Sequence, residues 1–288
     1  MKLPVHMHVL KHRVGQDVTA YFQHYQADET RLLLDSTGPG FTRQYIVLNA
    51  IGYERLRECK EIHAFSGSVF ALFGFIAFST GANRLSVDEL CDPRTEKIFR
   101  DQHHSGRFSG IKSLARLATG GSAFSSTQAL IDSLETTFGD FVNQPFSYFD
   151  ANIHIYLAKT KGQPPLILSN NERCSPELQM LRQQPIKHII AMAANVPFVY
   201  GGIQSNTPYF DPVYGGHYLP TLKSLTADEQ PTLISTPWRS GRKAHRHFVN
   251  CYPRGNPYWL MSKDFARLVA GFNNVTWSRD IFTAFKLE

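Results

Sequence analysis

The stretch Glu61-Ile-His-Ala-Phe-Ser-Gly-Ser-Val-Phe-Ala-Leu-Phe-Gly-Phe75 predicts a strand, a tight turn and a buried helix in immediate succession. The strand covers residues 62–65, the turn covers 66–68, and the apolar helix begins at Val69 and continues to about Phe78. A nucleophile elbow has this form: it holds a serine hydroxyl above the edge of a sheet, beside the first N–H groups of a helix. The apolar run is too short and too rich in Ser and Gly to predict a membrane span.

Two serines compete for the nucleophile position, because the usual elbow pattern Gly-x-Ser-x-Gly is imperfect here. Ser68 as nucleophile is flanked two residues away by Ser66, which is small, and by Phe70, which is large. Ser66 as nucleophile has two small flanks, Ala64 and Ser68, but it cuts the strand short.

A third register fits the pattern best and carries no nucleophile. Position 69 lies between Gly67 and Ala71, which are both small, but residue 69 is a valine. This register would describe an inactive protein. A buried strand, turn and helix without any chemistry over residues 62–78 is a further interpretation.

The composition predicts a globular domain in a reducing compartment. The 288 residues are 42% hydrophobic and 19% charged, which suits one large domain with a full core. The first ten residues are too polar for a signal peptide, so we expect a cytoplasmic protein. The cysteines have no paired spacing, so we expect neither a zinc site nor a disulfide framework; they are Cys59, Cys91, Cys174 and Cys251. We expect no metal and no cofactor.

The net charge of +6 favours acidic partners. An anionic membrane surface or an acidic acyl carrier protein would suit such a surface. The densest basic group covers residues 239–247, and no aromatic side chains are interleaved with it as a nucleic-acid stacking platform would require. Nucleic acid is therefore not the partner that we expect.

A glycine-rich turn precedes the elbow and is expected at the same edge of the sheet. Arg31 to Leu34 predicts a strand, residues 35–40 (Asp-Ser-Thr-Gly-Pro-Gly) a turn, and Phe41 to about Lys60 a helix that leads into the strand of the elbow. A right-handed crossover would place the two strands parallel and adjacent, with both turns at their carboxyl ends. The turn lacks the spacing of a P-loop or a dinucleotide fingerprint, so its N–H groups suggest an anion or oxyanion site.

The remaining chain alternates strands and helices. Residues 85–150 predict a helical cap or lid, with one helix over 126–142. The N-terminal 30 residues suggest an edge strand and a short helix. The other predicted elements are strands at 151–158, 164–168, 231–234 and 247–251 and helices at 176–194, 264–272 and 278–285.

The order of these motifs resembles the patatin-like phospholipase family. The glycine-rich turn 35–43, the elbow 66–72, the alanine-rich segment 191–197 and the later Asp211 with Gly215-Gly216 follow one another as the family's motifs do. The resemblance covers about residues 31–220. It implies one domain over 1–288 with a three-layer α/β/α sandwich, a mostly parallel sheet, and a helical cap over 85–150.

The resemblance also implies a chemistry. The family uses a Ser-Asp dyad, so Ser68 would be the nucleophile and Asp211 the base within hydrogen-bond reach of it. The N–H groups around Gly38, Gly40 and Phe41 would stabilise the oxyanion. The implied reaction is hydrolysis or transfer of an acyl group from a lipid ester or an acyl thioester. It would take place in the cytoplasm or at a membrane surface. Aromatic residues such as Phe138 and Phe141 are candidates for the lining of an acyl channel.

The chain departs from the family pattern at three places. Pro39 interrupts the glycine-rich turn, and a proline donates no N–H. Phe70 stands where a glycine is expected, or else Val69 stands where the serine is expected. Three residues separate Asp211 from Gly215, so Tyr214 would occupy the aspartate position if the glycines are the true anchor.

Two alternatives therefore stay open. One is an inactive patatin-like protein that serves as a lipid-binding or protein-interaction module. The other is a Ser-His-Asp triad with a histidine base, for which the spacing does not select among His188, His217, His245 and His247.

Overall fold

The computed structural model describes residues 5–35, 44–81, 127–171, 175–195, 207–227, 229–236 and 248–250. Several predictions concern residues outside these ranges. They are the oxyanion candidates Gly38, Gly40 and Phe41, the cap segment 85–126, the basic group 239–247 with His245 and His247, and the helices at 264–272 and 278–285.

The described residues form eight α-helices and six strands. The helices are α1 Val5–Phe22, α2 Gln44–Ile51, α3 Tyr53–Glu58, α4 Gly67–Ser79, α5 Thr127–Phe138, α6 Pro176–Arg182, α7 Ile186–Ala193 and α8 Tyr218–Leu225. The strands are β1 Arg31–Leu34, β2 Glu61–Ala64, β3 Ile153–Leu157, β4 Leu166–Ser169, β5 Thr232–Thr236 and β6 Phe248–Asn250. Two short 3-10 helices, Gly139–Asn143 and Phe146–Tyr148, follow α5.

The six strands form one mostly parallel sheet in the order β4-β3-β2-β1-β5-β6. Strand β1 lies between β2 and β5 and is parallel to both, while β3 and β6 continue the parallel pairing outward. Strand β4 is antiparallel to β3 and forms a hairpin with it. The predicted α/β class with a mostly parallel sheet is confirmed, and the carboxyl ends of β1, β2, β3 and β5 share one edge.

Helices cover both faces of the sheet. Neighbouring side chains of a strand point to opposite faces, and in β1 Leu32 and Leu34 belong to one apolar cluster while Leu33 belongs to another. The larger cluster includes buried residues of α1, α2, α4, α5 and α7. The smaller one includes Tyr218 and Leu222 of α8. Strands covered on both faces are apolar throughout, as residues 32–34 are.

Three helix predictions need correction. Residues 5–22 form α1, a single long helix, where an edge strand with a short helix was expected. The predicted helix 41–60 is divided into α2 and α3 at Gly52, whose φ of 83° lies in the region that favours glycine. The predicted helix 176–194 is divided into α6 and α7, and Pro185 precedes the second helix because a proline lacks the N–H that would continue the first.

Helix α4 is almost completely buried. All residues from Gly67 to Ala77 are buried, which explains why the helix is apolar on every side. It packs closely against α2, because Gly74 has no side chain. A Cβ at position 74 would lie 1.9 Å from the Tyr45 hydroxyl and 3.0 Å from Cζ of Phe138.

Phe138 and Phe141, which were considered for an acyl channel, are part of the core together with Phe70 and Phe73 of α4. Phe70, Phe73, Phe138 and Phe141 are each at most 9% exposed and belong to the larger apolar cluster. The ring of Phe70 meets that of Phe138 edge to face at 5.3 Å. None of the helices in the described ranges combines the length and hydropathy that a membrane crossing requires.

Candidate active site

Ser66 stands at the sharp bend between β2 and α4. Its backbone has φ 54° and ψ −131°, and it is the only non-glycine residue of the described part with a positive φ. A side chain held in this region costs about 1–3 kcal/mol, and such strain concentrates at functional sites. The strained serine between a strand and a buried helix is the geometry of a nucleophile elbow.

The hydroxyl of Ser66 donates a hydrogen bond to the Oδ2 atom of Asp211. Ser66 is 5% exposed and Asp211 is 1% exposed, so water contributes little to the solvation of either side chain. Among the described residues, Asp211 is the partner of this hydroxyl, and no histidine contacts it. Within these ranges neither His188 nor His217 is therefore hydrogen-bonded to Ser66.

The environment of Asp211 adjusts its proton affinity. Its Oδ1 accepts a hydrogen bond of 2.8 Å from the N–H of Val213. Burial raises the pKa of Asp211 to about 6, although the Ser66 hydroxyl and the neighbouring backbone N–H groups oppose the rise. Asp211 is thus mostly ionised at neutral pH and has a pKa close to the range that favours a general base.

The end of α7 and the end of β3 hold Asp211 in place. The N–H of Asp211 donates to the carbonyl of Asn195 at 2.9 Å, and the side-chain amide of Asn195 donates to the carbonyl of Tyr209 at 3.0 Å. Phe210 exchanges two hydrogen bonds of 2.9 Å with Ala158, just beyond β3. Asn195 is 1% exposed. Its two hydrogen bonds, one to Tyr209 and one to Asp211, hold residues 209–211 at both ends.

Ser68 has a different position from the one expected. Its hydroxyl accepts a hydrogen bond of 2.7 Å from the N–H of Phe65 and lies 2.9 Å from the carbonyl oxygen of Leu34. The residue is fully buried, and the expected contact between Ser68 and Asp211 is not formed. Because Ser68 is already in the first turn of α4, its side chain points back onto the bend and the end of β1.

The register with Val69 at the bend is also not the one that the chain adopts. Val69 lies in the first turn of α4, is fully buried and belongs to the larger apolar cluster. The signal for Ser66 was present in the sequence, because Ala64 and Ser68 are its two small neighbours in the elbow pattern.

The two glycines after Asp211 support its turn rather than replace it. The N–H groups of Tyr214 and Gly215 both donate to the carbonyl of Asp211, at 3.1 and 3.2 Å. A Cβ at Gly215 would lie 2.8 Å from the Cβ of Ala158, so the glycine lets the turn approach the end of β3. Asp211, and not Tyr214, therefore faces the serine.

A largely buried polar cluster, which no sequence pattern indicated, lies on the α8 face of the sheet. His63 Nδ1 lies 2.7 Å from the Tyr156 hydroxyl, and His63 Nε2 lies 3.1 Å from a carboxylate oxygen of Glu61. The same oxygen accepts a hydrogen bond from Arg31 at 2.9 Å. The His63 and Arg31 partners lower the pKa of Glu61 to about 2. This cluster joins β1, β2 and β3 beneath the elbow.

In the described ranges no group of three His, Cys, Asp or Glu side chains is arranged to hold a metal ion. The chain matches no known protein family, no curated protein and no solved structure. The arguments about its chemistry therefore rest on the geometry of Ser66, Asp211 and their neighbours.

Proposed function

We propose that this chain is a divergent patatin-like serine acyl hydrolase or acyltransferase that acts through a Ser66–Asp211 dyad. Its substrate would be a lipid ester or an acyl thioester. The observation that carries the proposal is the hydrogen bond from a strained serine at a strand-to-helix bend to a buried carboxylate. We also propose that the chain is a single domain over 1–288 with a three-layer architecture and a helical cap over 85–150.

The proposed reaction begins with a proton transfer from Ser66 to Asp211. As the Ser66 Oγ forms a bond to the carbonyl carbon of the substrate, its proton passes to the Asp211 carboxylate. Asp211 then returns this proton to the departing alcohol or thiol, and an acyl-serine remains. In the second half of the reaction the oxygen of water, or of another acceptor, bonds to the acyl carbon and gives its proton to Asp211. The bond between this carbon and the Ser66 Oγ then breaks, and Asp211 returns the proton to the Ser66 Oγ.

The N-terminus of α4 offers one stabilising group for the oxyanion. Gly67 follows the proposed nucleophile, and the N–H after the nucleophile is a usual oxyanion donor in elbow enzymes. The next two N–H groups are already used, because Ser68 donates to the Phe65 carbonyl at 3.0 Å and Val69 donates to the Ser66 carbonyl at 3.1 Å. We propose the N–H groups near Gly38, Gly40 and Phe41 as the second source of donors.

The partners follow from this chemistry and from the charge of the chain. We propose an acidic acyl carrier protein or an anionic membrane surface as the source of the substrate, because the net charge is +6. We propose a cytoplasmic location, including the membrane surface.

A fluorophosphonate probe tests the proposal directly, because it labels activated serines covalently. We expect the wild-type protein to be labelled, and digestion followed by mass spectrometry should place the label on Ser66. Ser66→Ala should abolish labelling, and Asp211→Asn should slow it by about a hundredfold or more, as the loss of a general base does. Ser68→Ala is the matched control and should retain the label on Ser66.

Circular dichroism and thermal unfolding establish that each variant is folded. A folded wild type that takes up no label would contradict the enzyme and favour the alternative of an inactive lipid-binding or interaction module. A label on Ser68 would contradict the assignment of Ser66.

A further inference from the structure

Phe65, the residue immediately before Ser66, is held by both of its backbone polar groups. Its N–H donates to the Ser68 hydroxyl at 2.7 Å, and its carbonyl accepts a hydrogen bond of 3.0 Å from the N–H of Ser68. The side chain of Phe65 is fully buried. The bend at Ser66 therefore starts from a residue with little freedom to move.

Two tyrosine rings enclose the ring of Phe65. Tyr156 of β3 stacks on it with 4.1 Å between the ring centres, and Tyr218 at the start of α8 meets it edge to face at 5.3 Å. Such ring pairs attract one another beyond the burial of their area. The Tyr156 hydroxyl lies 2.7 Å from Nδ1 of His63, and this contact restrains its ring. We call Tyr156, Phe65 and Tyr218 the aromatic triplet.

The aromatic triplet is also connected to the segment that carries Asp211. Tyr218 follows Asp211 within the segment 211–218. Val213 packs against the smaller apolar cluster, to which the aromatic triplet belongs, and its N–H donates to Oδ1 of Asp211 at 2.8 Å. One set of apolar contacts therefore reaches both the residue before the serine and the residue that binds the carboxylate.

We propose that the aromatic triplet positions the Ser66 hydroxyl against Asp211, with Phe65 as the central positioning residue. This inference rests on the proposed function. Phe65 acts through the backbone of Ser66, whose φ of 54° requires support from the surrounding packing. Without the ring of Phe65 the bend can relax toward ordinary backbone angles, and the hydroxyl then moves away from Oδ2 of Asp211.

The experiment compares Phe65→Leu with the matched control Phe73→Leu. Phe73 is also buried and also contacts two rings, those of Phe146 and Phe149, but it belongs to the larger apolar cluster. Both variants should unfold at a lower temperature than the wild type. Only Phe65→Leu should slow fluorophosphonate labelling of Ser66, by about tenfold or more, because small misplacements of a reacting group have effects of this size. For p-nitrophenyl butyrate the loss should appear in kcat rather than in KM.

Two variants of Tyr156 separate the effect of its ring from that of its hydroxyl. Tyr156→Phe retains the ring on Phe65 and loses the contact with His63, so it should be less stable but label within about twofold of the wild-type rate. Tyr156→Leu removes the ring and should label as slowly as Phe65→Leu. Equal labelling rates in Tyr156→Leu and Tyr156→Phe, or in Phe65→Leu and Phe73→Leu, would overturn the proposal.

A titration of Asp211 separates this inference from the proposed function, because it requires neither labelling nor turnover. The hydrogen bond from Ser66 lowers the pKa of Asp211 against the effect of burial. Carbon-13 NMR of protein labelled at the aspartate carboxyl groups follows this pKa, and Asp211→Asn assigns the signal. Phe65→Leu should raise the pKa of Asp211 above about 6, because the hydroxyl no longer donates to it, whereas Phe73→Leu should leave it at about 6.

The two measurements can fail independently. An unchanged or lowered pKa of Asp211 in Phe65→Leu would overturn the positioning role of the aromatic triplet. A wild type without labelling would overturn the enzyme, and the titration would still decide whether the aromatic triplet holds Ser66 against Asp211.

Discussion

Ser66 donates a hydrogen bond to Asp211 across a separation of 145 residues, from a strained backbone to a buried carboxylate. Both residues reduce the stability of the folded state, because Ser66 has a positive φ and the Asp211 carboxylate is removed from water. Packing around them must maintain this arrangement. Such a combination is typical of sites where activity requires a locally unfavourable structure.

The activity should depend on the ionisation of Asp211. Burial raises its pKa to about 6, and only the carboxylate can accept the Ser66 proton. We expect kcat/KM for p-nitrophenyl butyrate to rise tenfold per pH unit below about pH 6 and to reach a plateau above it. Asp211→Asn should remove most activity and this pH dependence together. If kcat/KM fell only below about pH 4, Asp211 would be solvated like an ordinary aspartate.

Asp211→Asn should also make the protein more stable at pH 8. The folded state raises the pKa of Asp211 above its unfolded value of 3.8, so folding favours the protonated form. The resulting cost is absent below about pH 4, grows as the pH rises, and is complete above about pH 6. At 1.36 kcal/mol per pKa unit the gain in the free energy of unfolding is at most roughly 3 kcal/mol.

Urea unfolding of the wild type and of Asp211→Asn at pH 8 and pH 4 measures this difference. The gain should be largest at pH 8 and should decrease toward pH 4. A variant that is less stable at pH 8 would show that the carboxylate contributes more through its hydrogen bonds than it costs through burial.

Ser68→Ala should destabilise the elbow. The substitution leaves the Phe65 N–H without its acceptor and removes the link between Ser68 and the Leu34 carbonyl. Loss of a buried hydrogen-bond partner costs about 1–3 kcal/mol. Thr226→Ala is a suitable control, since its hydroxyl bonds the Leu222 carbonyl at 3.0 Å in a partly exposed position.

Thermal and urea unfolding provide the comparison between these two variants. We expect a smaller loss for Thr226→Ala, because water can replace the missing contact. If Ser68→Ala were as stable as the wild type, the hydrogen bonds of Ser68 would not hold the bend.

His154 should make the protein sensitive to acid. Its ring stacks on that of His63 with 4.7 Å between the ring centres, and among the described residues its buried Nε2 has no hydrogen-bond partner. Burial is the main reason that the pKa of His154 falls to about 4. Between pH 6.5 and 4 the unfolded state binds a proton that the folded state does not, so stability is lost as the pH falls through this window. Unfolding free energies over this range should be compared with those of His154→Phe, which should lose roughly 3 kcal/mol less.

This comparison is best made in the Asp211→Asn background, because Asp211 has the opposite pH dependence in an overlapping window. The titratable groups that act on His154 are His63, Glu61 and Arg31. Glu61 has its pKa lowered to about 2, so its stabilising contribution is complete above pH 4.5 and is lost only at lower pH. An equal pH dependence in the two proteins would exclude His154 as the cause.

Gly74→Ala should destabilise the contact between α2 and α4. The added methyl would lie 1.9 Å from the Tyr45 hydroxyl, and overpacking of this kind costs about 1–3 kcal/mol. Gly15→Ala is the matched control in helix α1, because a Cβ there meets nothing within 4 Å. It should stabilise the protein by about 0.5–1 kcal/mol through helix propensity. Thermal unfolding should therefore shift in opposite directions for the two variants.

The local sequence was sufficient for the frame of the site. Apolar runs predicted β1, β2, β3 and β5, and the crossover rule predicted that β1 and β2 are parallel neighbours. The elbow itself was predicted as strand, turn and helix, and the structure has β2 ending at Ala64 and α4 beginning at Gly67. These features depend on short-range patterns, which are visible along the chain.

The sequence by itself determined that a serine-rich bend joins a strand to an apolar helix, because hydrophobic periodicity and turn residues are local features. It also shows a candidate base, Asp211, far along the chain. Only the tertiary structure decided that Ser66 occupies the bend while Ser68 points to Leu34. The two serines are two residues apart, and the backbone angles of the bend decide which hydroxyl faces Asp211. Those angles depend on packing between β1, α4 and the segment after α7, and the sequence pattern alone left the three registers at Ser66, Ser68 and Val69 open.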